Sequence, residues 1–173
     1  QWVRLDTVKG TNGQLPGHMM LAWLRDSEGR YWLGMNDGGG LACMENNQFR
    51  SIRDRSGGNL GGVVRCIAEA PDGTIWLGTH EEGIVVYDPV NDSSRFLNRR
   101  NGLPGVRILN LLFDLDHTLW AITDHGIGRL AKDAAGFRAL PLPDGLDPHS
   151  ATGAVAQLPD GRVVFGIGRY IVY

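Results

Sequence analysis

The stretch Pro71-Asp72-Gly73-Thr74-Ile75-Trp76-Leu77-Gly78-Thr79 decides the fold. Asp-Gly supplies a tight turn, and the apolar run after it is short enough for a buried strand. The pattern recurs. Asp26-Ser27-Glu28-Gly29-Arg30-Tyr31-Trp32-Leu33-Gly34-Met35 precedes it, and Leu115-Asp116-His117-Thr118-Leu119-Trp120-Ala121-Ile122-Thr123 follows. Pro159-Asp160-Gly161-Arg162-Val163-Val164-Phe165-Gly166-Ile167 is a weaker fourth copy. Trp32, Trp76, Trp120 and Val164 are each 44 residues apart, and so are Gly29, Gly73, His117 and Gly161. A fixed period of about 40–45 residues, each holding several short strands, is the signature of propeller blades. The expected fold is therefore all-β: a β-propeller of about four blades, each of four antiparallel strands, as part of a larger propeller.

Each repeat divides into four short strands. The first, inner strand covers residues 19–25, 63–69, 107–113 and 151–158. Leu109, Leu111 and Phe113 alternate while Leu112 does not, which predicts an inner strand packed on both faces. His117, standing where the other copies have glycine, predicts a different turn type in the third repeat. The second strand carries the tryptophan. The third begins at Gly40, Gly83 and Gly126, and in the fourth copy covers residues 169–173. The outer strand is marked by Phe49, Phe96 and Phe137. A loop centred on Leu15, Leu60, Leu103 or Leu146 leads into each repeat. This divides the single propeller segment, 1–173, into repeats at about 15–58, 59–101, 102–144 and 145–173. Residues 1–14 read as the outer strand and loop of a preceding blade. Helix is nearly absent from the pattern.

The 173 residues suffice for one domain with a real core, and 42% apolar content fits a globular protein. A formal charge of −2 argues against a general grip on nucleic acid. The longest apolar run, Met19 to Leu24, is far too short for a membrane span, and the opening residues lack the pattern of an export signal. Cys43 and Cys66 form no metal or redox spacing and read as small buried hydrophobes. The tryptophan series and the outer phenylalanines read as packing between blades rather than as a ligand platform.

The sequence resembles the two-component regulator propeller repeat. The resemblance rests on Asp-x-x-Gly-x-x-Trp-Leu-Gly-Thr, the following Gly-Ile or Gly-Leu, the outer aromatic and the Gly-Leu-Pro loop. It is strongest from Val63 through Phe96 to Leu103-Pro104. The third copy replaces Leu-Gly-Thr by Ala121-Ile122-Thr123, and the fourth has Val164 for the tryptophan. The resemblance implies a periplasmic sensor segment of a bacterial inner-membrane signalling protein. Such proteins carry seven-bladed rings joined to a histidine kinase, a hybrid kinase or a diguanylate cyclase. No kinase motif or phosphate loop occurs in this chain, so the segment is expected to be non-catalytic and to need no cofactor. Streptogramin lyases have similar Gly-x-x-Trp repeats and use a histidine and acidic residues with magnesium. Under that alternative His80, Glu81 and His125 are the candidates. A protein-interaction propeller is a third reading.

Loops between the second and third strands vary most, and variable polar loops on a rigid scaffold are where binding usually evolves. The expected ligand-binding residues are Asn36, Asp37, His80, Glu81, Asp124, His125 and Arg169, on one rim with the connections between blades. A small molecule or an oligosaccharide is the expected ligand. His80 and His125 occupy nearly equivalent places, but no third ligand stands at a fixed spacing, so no metal is assigned. The incomplete last repeat and the unpaired opening strand raise the question of closure. Trp2 to Leu5 can pair with residues 170–173, exchange with another copy in a homodimer, or join the missing blades of the same protein.

Overall fold

The computed structural model describes residues 15, 17, 19–46 and 48–173. They form four antiparallel sheets. Blade 1 is β1 (Met20–Arg25), β2 (Tyr31–Met35), β3 (Leu41–Glu45) and β4 (Gln48–Ser51). Blade 2 is β5 (Val64–Glu69), β6 (Ile75–Thr79), β7 (Ile84–Asp88) and β8 (Ser93–Leu97). Blade 3 is β9 (Ile108–Phe113), β10 (Leu119–Thr123), β11 (Gly126–Leu130) and β12 (Arg138–Ala139). Blade 4 is β13 (Ala151–Gln157), β14 (Val163–Ile167) and β15 (Tyr170–Val172). Strands follow chain order within every sheet, and β1, β5, β9 and β13 neighbour one another in turn. This is the arc of a partial β-propeller, as the repeat implies. The expected pairing of Trp2 to Leu5 lies outside the described residues.

One turn serves all four blades. Asp26 N–H donates to Arg30 O and Gly29 N–H to Asp26 O, each at 3.0 Å. Ala70, Asp114 and Leu158 repeat both bonds with Thr74 and Gly73, Thr118 and His117, and Arg162 and Gly161. The different turn expected at His117 is therefore not found. His117 adopts φ 62°, in the same left-handed region as Gly73 at 80°. The two hydrogen bonds fix the backbone, and the exposed imidazole bears the strain of a side chain at positive φ.

The inner strands are not the most buried ones, contrary to expectation. All five residues of β6 are buried, whereas four of the six residues of β1 are exposed and none is buried. A second strand has a neighbour on each edge, while the first strand keeps one edge without a ladder partner. The broken alternation has a cause too. The ladder between first and second strands shifts register near Leu21, Arg65, Leu109 and Gly153, again 44 residues apart. A bulge at this point adds twist to each inner strand.

Each wedge between blades holds its own core. Trp32 is fully buried and meets Tyr87 of blade 2 edge-on, with centroids 5.7 Å apart. Trp76 meets Phe113 of blade 3 at 5.5 Å, and half-buried Trp120 meets Phe165 of blade 4 at 5.2 Å. Such pairs add about 0.5–1.5 kcal/mol to area burial. Tight approach needs glycine at Gly34, where an added Cβ would lie 2.7 Å from Val64 Cγ1 of the next blade. Of the outer phenylalanines, Phe137 joins the core between blades 2 and 3 and Phe49 packs against Leu33, Met35 and Ala42, whereas Phe96 does not share this packing role. Phe137 is buried, but Phe96, on the largely exposed strand β8, is 46% exposed.

The polar seams vary in matched sets. Trp32 Nε1 donates to Asp26 Oδ2 at 2.7 Å, and Trp120 Nε1 to Asp114 Oδ2 at 2.8 Å. In blade 2 the acid is Ala70, and Trp76 Nε1 donates to Thr74 Oγ1 at 3.0 Å instead. In blade 4 both members are apolar, Leu158 and Val164. Across the first seam, Ser27 N–H donates to Glu69 Oε2 at 2.9 Å; across the third, Leu115 N–H donates to Gln157 Oε1 at 3.0 Å. At the middle seam Pro71 has no N–H to donate, and Phe113 stands in the acceptor's place. Both cysteines are buried and free, as the sequence implies, and burial pushes Cys43 up to about 11 and Cys66 to about 12.

Candidate functional rim

The loops between second and third strands lie beside the connections that enter the blades, on one end of the sheets. Gly40 N–H donates to Gly62 O at 2.7 Å, Gly83 N–H to Val106 O at 3.0 Å and Gly168 N–H to Ser150 O at 2.7 Å. Asn59 Nδ2 adds a bond to Gly38 O at 2.9 Å. These contacts use mostly backbone groups. The loops are anchored while their side chains remain free to vary.

All seven expected residues sit on this rim. Asn36 and Asp37 turn over blade 1, with Asp37 at φ 55°. His80 and Glu81 cap blade 2, where His80 N–H donates to Val63 O at 3.0 Å. Asp124 and His125 cap blade 3. Arg169 caps blade 4, its guanidinium over the ring of Tyr170 at 5.4 Å. The structure joins only Asp124 and His125 through side chains, with His125 Nδ1 3.0 Å from Asp124 Oδ1. His80 and His125 do not meet.

His125 meets His149, which the sequence reading left in a connection. Their rings are edge-to-face, with centroids 4.6 Å apart, and His149 Nδ1 is 3.1 Å from Asp124 O. Asp147 positions His149 by accepting its N–H at 2.9 Å, and Pro148 stiffens the short 3-10 turn between them. The Asp-Pro-His run is the signal that could have been used. Burial alone would raise the Asp124 pKa. The adjacent His125, the Arg107 backbone N–H and the Arg107 charge outweigh it and hold the carboxyl below its ordinary value. Oδ1 is buried and has no hydrogen-bond partner among the described residues, with His125 Nδ1 as its ion-pair neighbour. The arrangement offers an anionic acceptor and two imidazoles. Among the described residues no group of three histidine, cysteine or acidic side chains could hold a metal ion.

The fold defines a partial β-propeller, and comparison with known proteins refines this. Residues 57–81, which carry β5 and β6, match the family described as Two component regulator propeller. No curated protein matches the chain. Among solved structures it is similar to the extracellular domain of a protein described as a hybrid two component system, BT3049 of B. thetaiotaomicron. The TM-score is 0.74 at 24% identity, over 88% of this chain and 21% of that one. BT4673 of the same organism, described as a one component system, gives 0.71 at 20% identity over 96% and 22%. Virginiamycin B lyase from Staphylococcus aureus gives 0.64 at 18% identity over 88% and 50%. The chain thus spans about a fifth of the length of the two extracellular domains. At these identities the likeness is one of fold. Among the described residues, no helix is long and apolar enough to cross a membrane.

Proposed function

We propose that this chain is a non-catalytic sensor segment of a larger propeller in the extracytoplasmic part of a bacterial two-component or related signalling protein. The observation that carries the reading is the regulator-propeller match at residues 57–81, in a chain whose other three repeats use the same turn and rim. The four repeats, at about 15–58, 59–101, 102–144 and 145–173, are blades of one ring whose remaining blades and signalling domains belong to the same protein. A periplasmic location follows from that role. The rim around Asp124, His125 and His149 is the ligand site, with Asn36, Asp37, His80, Glu81 and Arg169 extending it. Carboxylate, imidazole and guanidinium groups at a rim suit a polyhydroxylated ligand such as an oligosaccharide.

The test uses the intact protein in cells with a reporter for its output, fed small-molecule and oligosaccharide pools. An inducing pool should lose its effect with Asp124→Ala or His125→Ala while the protein level holds. An inducer that survives every rim change places the site elsewhere. A propeller lyase is the second reading, favoured by likeness to virginiamycin B lyase in fold. Against it, His80 and Glu81 stand apart from His125, the partner that chemistry would require. Metal-dependent turnover by the purified protein would restore it.

A further inference from the structure

We propose that the cleft between blades 2 and 3 is a binding site for a small aromatic carboxylate. It lies at the hairpin-turn end of the blades, away from the rim, and does not rest on the sensor reading. Its template is the neighbouring wedge of the same chain.

In the wedge between blades 1 and 2, Tyr87 lays its ring edge-on against Trp32. Its hydroxyl donates to Asp92 Oδ1 at 2.6 Å, and Arg50 of blade 1 stands 3.9 Å from the same carboxylate oxygen. A phenol, a carboxylate and a guanidinium therefore close this wedge, and Tyr87 is 1% exposed.

The wedge between blades 2 and 3 keeps one of the three. Tyr87 pairs with Ile75, and Leu130 pairs with Leu119, 44 residues on from Ile75, so Leu130 takes the place of the tyrosine. Asp92 is five residues beyond Tyr87; five beyond Leu130 stands Ala135. The arginine is retained. Arg50 pairs with Cys43 and Arg95 with Val86, the residues that face Trp32 and Trp76 respectively. Arg95 lies over the Trp76 ring at 5.3 Å, and no carboxylate is within ion-pair distance of it among the described residues.

What remains is a cleft of about 340 Å³ walled by Leu97, Phe113, Leu130 and Phe137, with Arg95 and Lys132 on its lip. Phe113 takes one edge of Trp76 but does not fill the space. Asp72 also reaches the lip, but its Oδ1 is engaged by the Thr74 N–H at 3.0 Å and the Thr74 hydroxyl at 2.6 Å. The volume equals roughly ten water shares and falls within the usual range for ligand pockets. One aromatic ring bearing a carboxylate restores what Tyr87 and Asp92 supply next door: an apolar ring in the wedge and an anion for the arginine. Charge-assisted pairing with a planar guanidinium favours carboxylate over a neutral head.

The experiment is titration of the intact protein with 4-hydroxybenzoate, read by tryptophan fluorescence and calorimetry, with 4-hydroxybenzamide as the neutral control. A ligand of about ten heavy atoms should bind in the micromolar to millimolar range. The acid should bind about tenfold tighter than the amide. Arg95→Gln, an exposed change, should erase that preference. Leu130→Tyr should fill the wedge and abolish binding. No saturable binding of the acid by the wild type, or an acid-to-amide ratio unchanged in Arg95→Gln, overturns the proposal. If Leu130→Tyr does not fold, the Arg95→Gln ratio alone decides. A folded Leu130→Tyr that still binds also overturns it.

Discussion

The two wedges flanking blade 2 are built from the same repeat and solve packing differently. The first is polar at its edge and full at its centre: Asp26 anchors Trp32, Glu69 accepts from Ser27, and Tyr87 closes over the ring. The second has an apolar turn seam and is open at its centre: Ala70, Pro71 and Phe113 replace the anchor, the donor and the acceptor. Donor and acceptor disappear together, so neither is left unsatisfied. A seam is thus a set of residues from two successive repeats, and substituting one member alone should cost more than substituting the set.

The largest contrast should come from the tryptophans. Trp32→Ala should cost about 5 kcal/mol, the upper end for such truncations, because the site is fully closed and Asp26 loses a donor. Trp76→Ala, beside an existing cleft, should cost about 3 kcal/mol. Urea unfolding of the two variants measures the difference, and equal losses would break the comparison.

Acid should act on the first seam next. Burial would raise the Asp26 pKa, but donors from the Trp32 indole, the Arg30 side chain and the Arg30 backbone hold it below the ordinary 3.8. A carboxyl depressed in the folded state contributes stability above its unfolded pKa and loses it as pH falls through the folded value. Asp26→Asn should therefore destabilise by about 2 kcal/mol at neutral pH. The gap to wild type should close below about pH 3.8. Stability measured against pH tests this, and a gap constant down to pH 2 (about two units lower) removes the role of that charge.

A smaller effect tests the matched set itself. Glu69→Phe should cost about 1–2 kcal/mol by removing the hydrogen bonds that the exposed Ser27 N–H and hydroxyl make to its carboxylate. Adding Ser27→Pro, the partner found at Pro71, should recover part of it. A double-mutant cycle with no coupling would mean that the seams vary independently. The smallest change is His117→Gly, which should stabilise by about 1 kcal/mol by relieving φ 62°. Thermal unfolding is the measurement.

The blades were legible because period, turn and tryptophan all repeat at one spacing, and hairpin ladders follow from local chemistry. Inter-blade facts were harder to read. His149 reaches His125 only because two connections from different repeats meet at one rim. Phe96 reads as core by residue type, but it sits on an outer strand that is largely exposed. His117 looked like a new turn because residue type suggested one, while two backbone hydrogen bonds imposed the old one. The open wedge was hidden for a similar reason: Tyr87 and Leu130 become comparable only once strand pairing aligns them.

The paired seams also bear on how such a chain can be shuffled. If blade 3 were moved to follow blade 1, Phe113 would face the Ser27 N–H, and the hydrogen bonds that Ser27 makes to a carboxylate across the seam would be lost. The repeats share a length, yet they are not interchangeable parts. Recombination between copies preserves folding only where a crossover carries both halves of a seam, so the order of the blades is written into the residues that join them.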